Sequence, residues 1–236
     1  MTRIAVLECD TPIDPVKDRY GTYADIFERL LSAALPKQES LHVTKWNVVD
    51  NPVYPAAEEY DALLLTGSKH DSFSDAPWIV ELTNYVRKVH QQQKPIIGIC
   101  FGHQIVARAL GARVGRNDAS WEVAVEQITL TDAGRELFSK DSLSLHQMHR
   151  DIVYEVPHGC VNLGSTALCK IHGFYMPRRI LTVQGHPEYD EFFIKQLLEA
   201  RHNQGIFNGE LFHSGLSRAG LPHDGLLVVE AIWKLL

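Results

Sequence analysis

Cys100 stands in the stretch Pro95-Ile96-Ile97-Gly98-Ile99-Cys100-Phe101-Gly102-His103-Gln104, where an apolar run passes through Gly-x-Cys-x-Gly straight into a helical segment. A sharp strand-to-helix turn of this kind is the cysteine version of the nucleophile elbow, which lifts a reacting side chain above a sheet. Gly98 and Gly102 are needed because side chains there would collide across so tight a turn. The turn puts Cys100 at a helix N-terminus, whose partial positive charge favours thiolate over thiol. Phe101 then offers its backbone N–H to an oxyanion. The competing reading is a buried cysteine packed as a small hydrophobe, the usual state of a free Cys. The elbow context weighs against it.

A second segment, Ile180-Leu181-Thr182-Val183-Gln184-Gly185-His186-Pro187-Glu188, ends an apolar strand with His186 and Glu188 two positions apart. In extended backbone residues i and i+2 point the same way, so the carboxylate can lie beside the imidazole. Pro187 fixes its own φ and favours extension at His186. Glu188 can then hold the Nδ1 proton and leave Nε2 facing a thiolate, which with Cys100 makes a Cys-His-Glu triad.

Other residues of reactive type carry less. No Cys-x-x-Cys pair joins Cys9, Cys100, Cys160 and Cys169, and His146 and His149 lack further ligands nearby. No metal and no cofactor is therefore expected. Most of the twelve histidines read as surface or loop residues, with His103 on the surface or capping a helix. Glu8 and Asp10 read as solvated carboxylates, and Trp78 and Trp121 as core or rim packing. The segment Asp10 to Pro15 has no glycine and two acids, which disfavours a phosphate-cradling loop after the first strand.

The elements that must position these residues alternate. Strands are expected at Arg3–Leu7, Leu41–Val49, Tyr60–Thr66, Pro95–Ile99 and Arg179–Gln184. Helices are expected over Tyr20–Leu35 (stopped by Pro36), Pro77–Gln93, Gly102–Leu110 (ended by Gly111), Tyr189–Asn203 and Leu226–Leu236. This order predicts a doubly wound, mostly parallel α/β sheet with helices on both faces. The middle, Val123–Leu130 and Asp151–Val156, is richer in strand signals and is expected as antiparallel or edge structure on the same sheet. Without repeats or a long linker, residues 1–236 read as a single domain.

Composition narrows the classes further. With 23 Lys+Arg against 29 Asp+Glu the net charge is −6, so there is no basic excess for a nucleic acid backbone. The apolar runs fall short of the roughly 20 residues of a membrane span, and the start reads as a strand rather than a signal peptide. A reducing, cytoplasmic location is expected for the four cysteines.

The elbow Gly98–Gln104, the Val183–Glu188 segment and the Thr66-Gly67 strand end together resemble the class I glutamine amidotransferase family, from the first strand to about Glu188. The resemblance implies a flavodoxin-like fold and hydrolysis of the γ-amide of glutamine through a thioester. It makes Cys100 the nucleophile, His186 the general base and acid, and Glu188 its orienter. The oxyanion hole is then the N–H groups of Gly67 and Phe101, with Gln104, Ser68, His149 and Arg150 binding substrate. Two departures stand out: Thr66-Gly67-Ser68-Lys69 replaces the Gly-Gly-Pro of many members, and Arg150 in the loop Gln147–Asp151 replaces a glycine beside the histidine. These details look more like the branch that holds γ-glutamyl peptidases and free-standing amidotransferase-like proteins. The expected partner is a small glutamyl substrate. An ammonia-accepting synthase, if one is used, is a separate polypeptide. The rival readings are a γ-glutamyl peptidase acting on glutathione-like peptides, with Lys69, His70 and Arg150 beyond the scissile nitrogen, and a non-catalytic binding or regulatory protein.

Overall fold

The computed structural model describes residues 1–236. The chain begins β1 (Thr2–Glu8), α1 (Asp14–Tyr20), α2 (Tyr23–Ala33), β2 (Leu41–Asn47), β3 (Ala62–Leu65), α3 (Pro77–Gln91), β4 (Ile96–Ile99) and α4 (Phe101–Ala109). It continues β5 (Val114–Arg116), β6 (Glu122–Leu130), α5 (Asp132–Phe138), β7 (Ser142–His149), β8 (Asp151–Val153), β9 (Val161–Asn162) and β10 (Gly164–Ser165). It closes with β11 (Gly173–Met176), β12 (Ile180–Val183), α6 (Glu191–Asn203), α7 (Gly209–Arg218) and α8 (Gly225–Leu235).

The central sheet has the order β2-β1-β3-β4-β12-β11-β9, parallel through β12 and antiparallel beyond it. That is the flavodoxin-like arrangement with an antiparallel extension at one edge. β3, β4 and β12 are buried along their whole length, as strands covered on both faces must be. Alternate residues serve opposite faces: Ile4, Val6 and Leu64 pack with α2 and α8, while Ala5, Leu7 and Leu63 pack with α3 and α4. Helix ends follow local chemistry. Thr22 and Asp25 form a capping box at the start of α2, Pro77 opens α3, and Gly111 takes φ +88° just beyond α4.

The register brings Leu65 of β3 beside Gly98 of β4, and Ile99 beside Val183 of β12. These strands therefore run out at one level. The residues that follow them, Gly67, Cys100 and His186, meet along the carboxyl edge, where ligands of open α/β sheets bind.

The middle of the chain departs from expectation. Val123–Leu130 is not an edge of the central sheet: β6 pairs with β7 and β10 in a separate antiparallel sheet, and β5 pairs with β8 in another. The backbone bridge His146–His186 ties β7 to the segment after β12. The reason lies in burial, since β6 buries Val123 and Ala124 against α6 and Ile128 and Leu130 toward α8, an extra layer that alternation alone does not reveal. Gln147–Asp151 is accordingly not a loop but the end of β7, a turn at Arg150 and the start of β8. Helices α1, α5 and α7 went unread, being seven to ten residues long and burying only Val16, Gly134 with Phe138, and Gly215. No helix is long and apolar enough to cross a membrane.

The elbow makes a direct prediction. A Cβ on Gly102 would lie 2.4 Å from the Leu65 carbonyl oxygen, whereas one on Gly209 at the start of α7 would meet nothing within 4 Å. Gly102→Ala should lose about 1–3 kcal/mol in denaturant unfolding. Gly209→Ala should be neutral or gain up to about 1 kcal/mol. Equal effects would mean that the contact does not constrain the fold.

Candidate active site

Cys100 has φ 50° and ψ −102°, a left-handed conformation that strains a residue with a side chain. Its N–H donates to Val183 O at 2.9 Å and its carbonyl accepts from Gln104 N at 3.1 Å, so strand pairing and the first turn of α4 hold it from both sides. A Cβ on Gly98 would lie 2.7 Å from Gly102 O, which accounts for the second glycine of the elbow. Phe101 is the first residue of α4, and its N–H has no partner within the helix. The Gly67 N–H likewise donates to no protein group. Thr66 Oγ1 accepts the Cys9 N–H at 2.9 Å and donates to Gly67 O at 3.1 Å, which fixes the backbone at that strand end.

His186 sits over Gly67. A Cβ there would lie 2.8 Å from His186 Cε1 and 3.8 Å from Cys100 Cβ, so a side chain at 67 would push the imidazole off the thiol. His186 Nδ1 is 2.8 Å from Glu188 Oε1, and the ring stacks on Tyr189 at 3.9 Å and 6°. Nε2 is thereby left for Cys100. Burial alone would drive His186 to its neutral form, but the charges of Glu188 and Cys100 outweigh it and raise the imidazole to about 10. Gln184 Nε2 donates to Cys100 Sγ at 3.4 Å. Nothing in the sequence singled out Gln184 except its place in the Val-Gln-Gly-His-Pro-Glu segment.

Cys100 opens onto a cleft of about 390 Å³. Ser68, Gln104, His149 and Arg150 line it, together with Lys69 and His70. Sequence reading missed Asp71, Arg116, Met148, Arg201 and Ile206, which come from separate elements and carry no shared motif. Gln104 is tied inward, its Nε2 donating to Asp151 O and Gln184 Oε1, both at 3.0 Å. Arg150 Nε donates to Asn117 O at 3.1 Å. Trp121 lines the cleft and meets Phe207 edge-on, while Trp78 stacks on Phe101 at 5.7 Å.

Several histidines are not where composition put them. His103, His146, His149, His172 and His186 are all buried. His103 is neither on the surface nor a cap: its Nδ1 lies 2.8 Å from Thr182 Oγ1, and burial pushes it down to about 3. A single sequence shows no hydroxyl partner 79 residues away. Glu8 and Asp10 are engaged rather than solvated, since Glu8 accepts the Ala24 N–H and Asp10 accepts both N–H and Nζ of Lys69.

A second Cys-His-Glu grouping lies behind the cleft and meets its wall at His149. Glu122 Oε1 accepts from Thr166 Oγ1 at 2.6 Å, and Oε2 is 3.1 Å from Nε2 of both His172 and His149, the latter off the hydrogen-bond line. Burial opposes the charge of Glu122, yet the two histidines hold its carboxyl well below the usual range. The donor atoms of Glu122, Cys169 and His172 lie within 4.8 Å of one another, close enough to converge on a cation. Cys169 is fully buried, donates to Ile171 O, and has its thiol pushed far up by burial and by Glu122. Burial also raises Cys9 to about 12 and Cys160 to about 11. All four cysteines are free.

The family model of glutamine amidotransferase class-I matches residues 21–192. The chain belongs to that family. It is 35% identical to the glutamine amidotransferase-like protein C13C5.04 of Schizosaccharomyces pombe, over 99% of this chain and 98% of that one. It is 32% identical to gamma-glutamyl peptidase 2 of Arabidopsis thaliana, over 85% of this chain and 81% of the relative. Among solved structures, a glutamine amidotransferase from Thermotoga maritima superposes with a TM-score of 0.72 at 17% identity, covering 99% and 96% of the two chains. The fold is thus the class I amidotransferase fold, and the family includes hydrolase-type relatives.

Glu122→Gln isolates the charge of the buried cluster. A hydrogen bond to a charged group contributes about 1.5–3 kcal/mol, so the variant should be less stable by that amount near pH 7. Because the folded carboxyl titrates below its unfolded value, the contribution is present above about pH 4.3 and is lost as pH falls through the folded value. The gap between wild type and variant in urea unfolding should therefore shrink toward pH 2. A constant gap would point to shape rather than charge.

Proposed function

We propose that this protein is a cysteine hydrolase that acts on the γ-carbonyl of glutamyl compounds through a thioester, taking γ-glutamyl peptides at least as well as glutamine. The observation that carries the reading is Cys100 opening onto the cleft with His186, held by Glu188, beside it and with Gly67 and Phe101 flanking the thiol. Cys100 Sγ attacks the γ-carbonyl carbon, and the oxygen takes the negative charge against the Gly67 and Phe101 N–H groups. The C–N bond then breaks, and His186 gives its Nε2 proton to the departing nitrogen. Water next attacks the thioester with His186 as base, releasing glutamate and returning the proton to the Cys100–His186 pair. Glu188, with its side chain wholly buried, holds the ring in register and stabilises the imidazolium.

The buried Cys169 grouping supplies no rival nucleophile, because its thiol is held neutral and lines no cleft with substrate access. A purely binding role would not require a thiol, an imidazole and a carboxylate in hydrogen-bond register. Relatives named for both amidotransferases and γ-glutamyl peptidases support the reaction class, and the open cleft supports the peptide as leaving group. Intact-mass measurement during incubation with glutamine or a γ-glutamyl peptide tests the reading, through an acyl adduct on the chain and release of ammonia or amine.

Cys100→Ala should abolish hydrolysis and the adduct while leaving the fold intact, and a glutamine-like electrophile should label Cys100 before the other three cysteines. Uniform labelling would remove the nucleophile from the reading. His186→Ala should lose as much activity as Cys100→Ala, since members of one catalytic unit act non-additively. Retention of most of the rate would hand the base to another histidine.

The acid–base pair also sets a pH limit. His186 stays protonated up to about pH 10, so the alkaline limb of kcat/KM should lie there, far above the ordinary histidine value of about 6.5. Its ion pairing stabilises the fold fully below about pH 6.5 and loses that contribution as pH rises through about 10. Glu188→Gln should move the limb toward neutrality. An unmoved limb would assign it to another group.

A further inference from the structure

We infer that Arg201 binds the carboxylate of the leaving group and so selects γ-glutamyl peptides over glutamine; this rests on the hydrolase reading above. The cleft holds several cations, of which two are already ion-paired. Lys69 is paired with Asp10 at 2.9 Å. Arg116 is paired with Asp151 at 2.7 Å and with Asp71. Arg150 donates only its Nε, to Asn117 O, and lines the hollow with Gln104 but not the one with His186. Arg201 makes no side-chain hydrogen bond and no ion pair within the protein, so its fork of donors is free for a planar anion.

Its position says which anion. Two hollows meet at Cys100: the larger contains Gln104, His149 and Arg150, and the smaller contains His186 and Tyr189. Arg201 lines both. His186 must reach the departing nitrogen, so the leaving group lies on the His186 side and the glutamyl half extends toward Gln104. A γ-glutamyl dipeptide carries a carboxylate on that leaving half, and glutamine, which loses only ammonia, carries none. The side chain is set by α6, where Leu197 lies one turn earlier on the same face, lines the smaller hollow and is buried. Arg201 itself sits in the last turn of that helix, where a cation is favoured by the backbone dipole.

The test compares a γ-glutamyl dipeptide, its C-terminal amide and glutamine in wild type and in Arg201→Ala, with melting curves showing that the variant is folded. Arg201→Ala should lower kcat/KM for the dipeptide roughly ten- to a hundredfold and leave the amide and glutamine within about threefold. Arg201→Lys should restore part of the dipeptide rate. An equal loss on all three substrates, or no loss, overturns the inference, since Arg201 would then serve the shared glutamyl half or nothing. If wild type hydrolyses none of the three, the hydrolase reading fails separately. Calorimetry on Cys100→Ala then decides the inference: tighter binding of the dipeptide than of its amide, abolished by Arg201→Ala, upholds it, and equal binding overturns it.

Discussion

The close approach of the Gly102 backbone to the carbonyl of Leu65 is the constraint on which the site depends. Strand β3 and the first turn of α4 come so near that a single Cβ would not fit between them. That contact forces the chain to turn within one residue, and Cys100 takes the left-handed conformation that makes the turn. The strain is held by ordinary structure, namely the Cys100 N–H on Val183 and the helix that begins at Phe101. Gly67 completes the packing, since its missing side chain is the space in which the His186 ring rests against the thiol.

Electrostatics separates two groupings made of the same residue types. Cys100 and Cys169 each lie near a histidine and a glutamate, and both are buried. Cys100 begins a helix, faces an imidazole raised to about 10 and opens onto the cleft. Cys169 lies in a sealed interior where desolvation and the nearby charge of Glu122 favour the thiol. In the second grouping the carboxylate is the charged partner, held by Thr166 and His172, and it ties β6 to the segments after β9. Identity of side chains therefore does not decide reactivity. Access and local field do.

The cleft is built from elements far apart in the chain. One wall follows β3, another is the turn between β7 and β8, and the end of α6 closes the third. The pairing of Arg116 with Asp71 and Asp151 links two of these walls and consumes the acids that line the cleft. What remains is an opening whose uncommitted charge is positive, in a chain whose net charge is −6.

Much of this was legible in the residues alone. The parallel core strands are continuous apolar runs, and Cys100 with Gly98 and Gly102, and His186 with Glu188, are each local patterns whose backbone geometry dictates their arrangement. The gap between the motifs was another matter. Strand register puts Ile99 beside Val183, and only that pairing carries His186 to Cys100. The same holds for the separate β6–β7 sheet, for His103 on Thr182, for the Glu122 cluster and for Arg201 at the junction of two hollows. Polar side chains look alike in sequence whether exposed or buried, because their environment is set by segments tens of residues away. The amino-acid sequence by itself determined the parallel core strands, the elbow and the pairing of His186 with Glu188, each a pattern within one short segment. Tertiary structure decided which histidines are buried, which cysteine opens onto the cleft and which cation is left without a partner, because those depend on distant surfaces coming into contact.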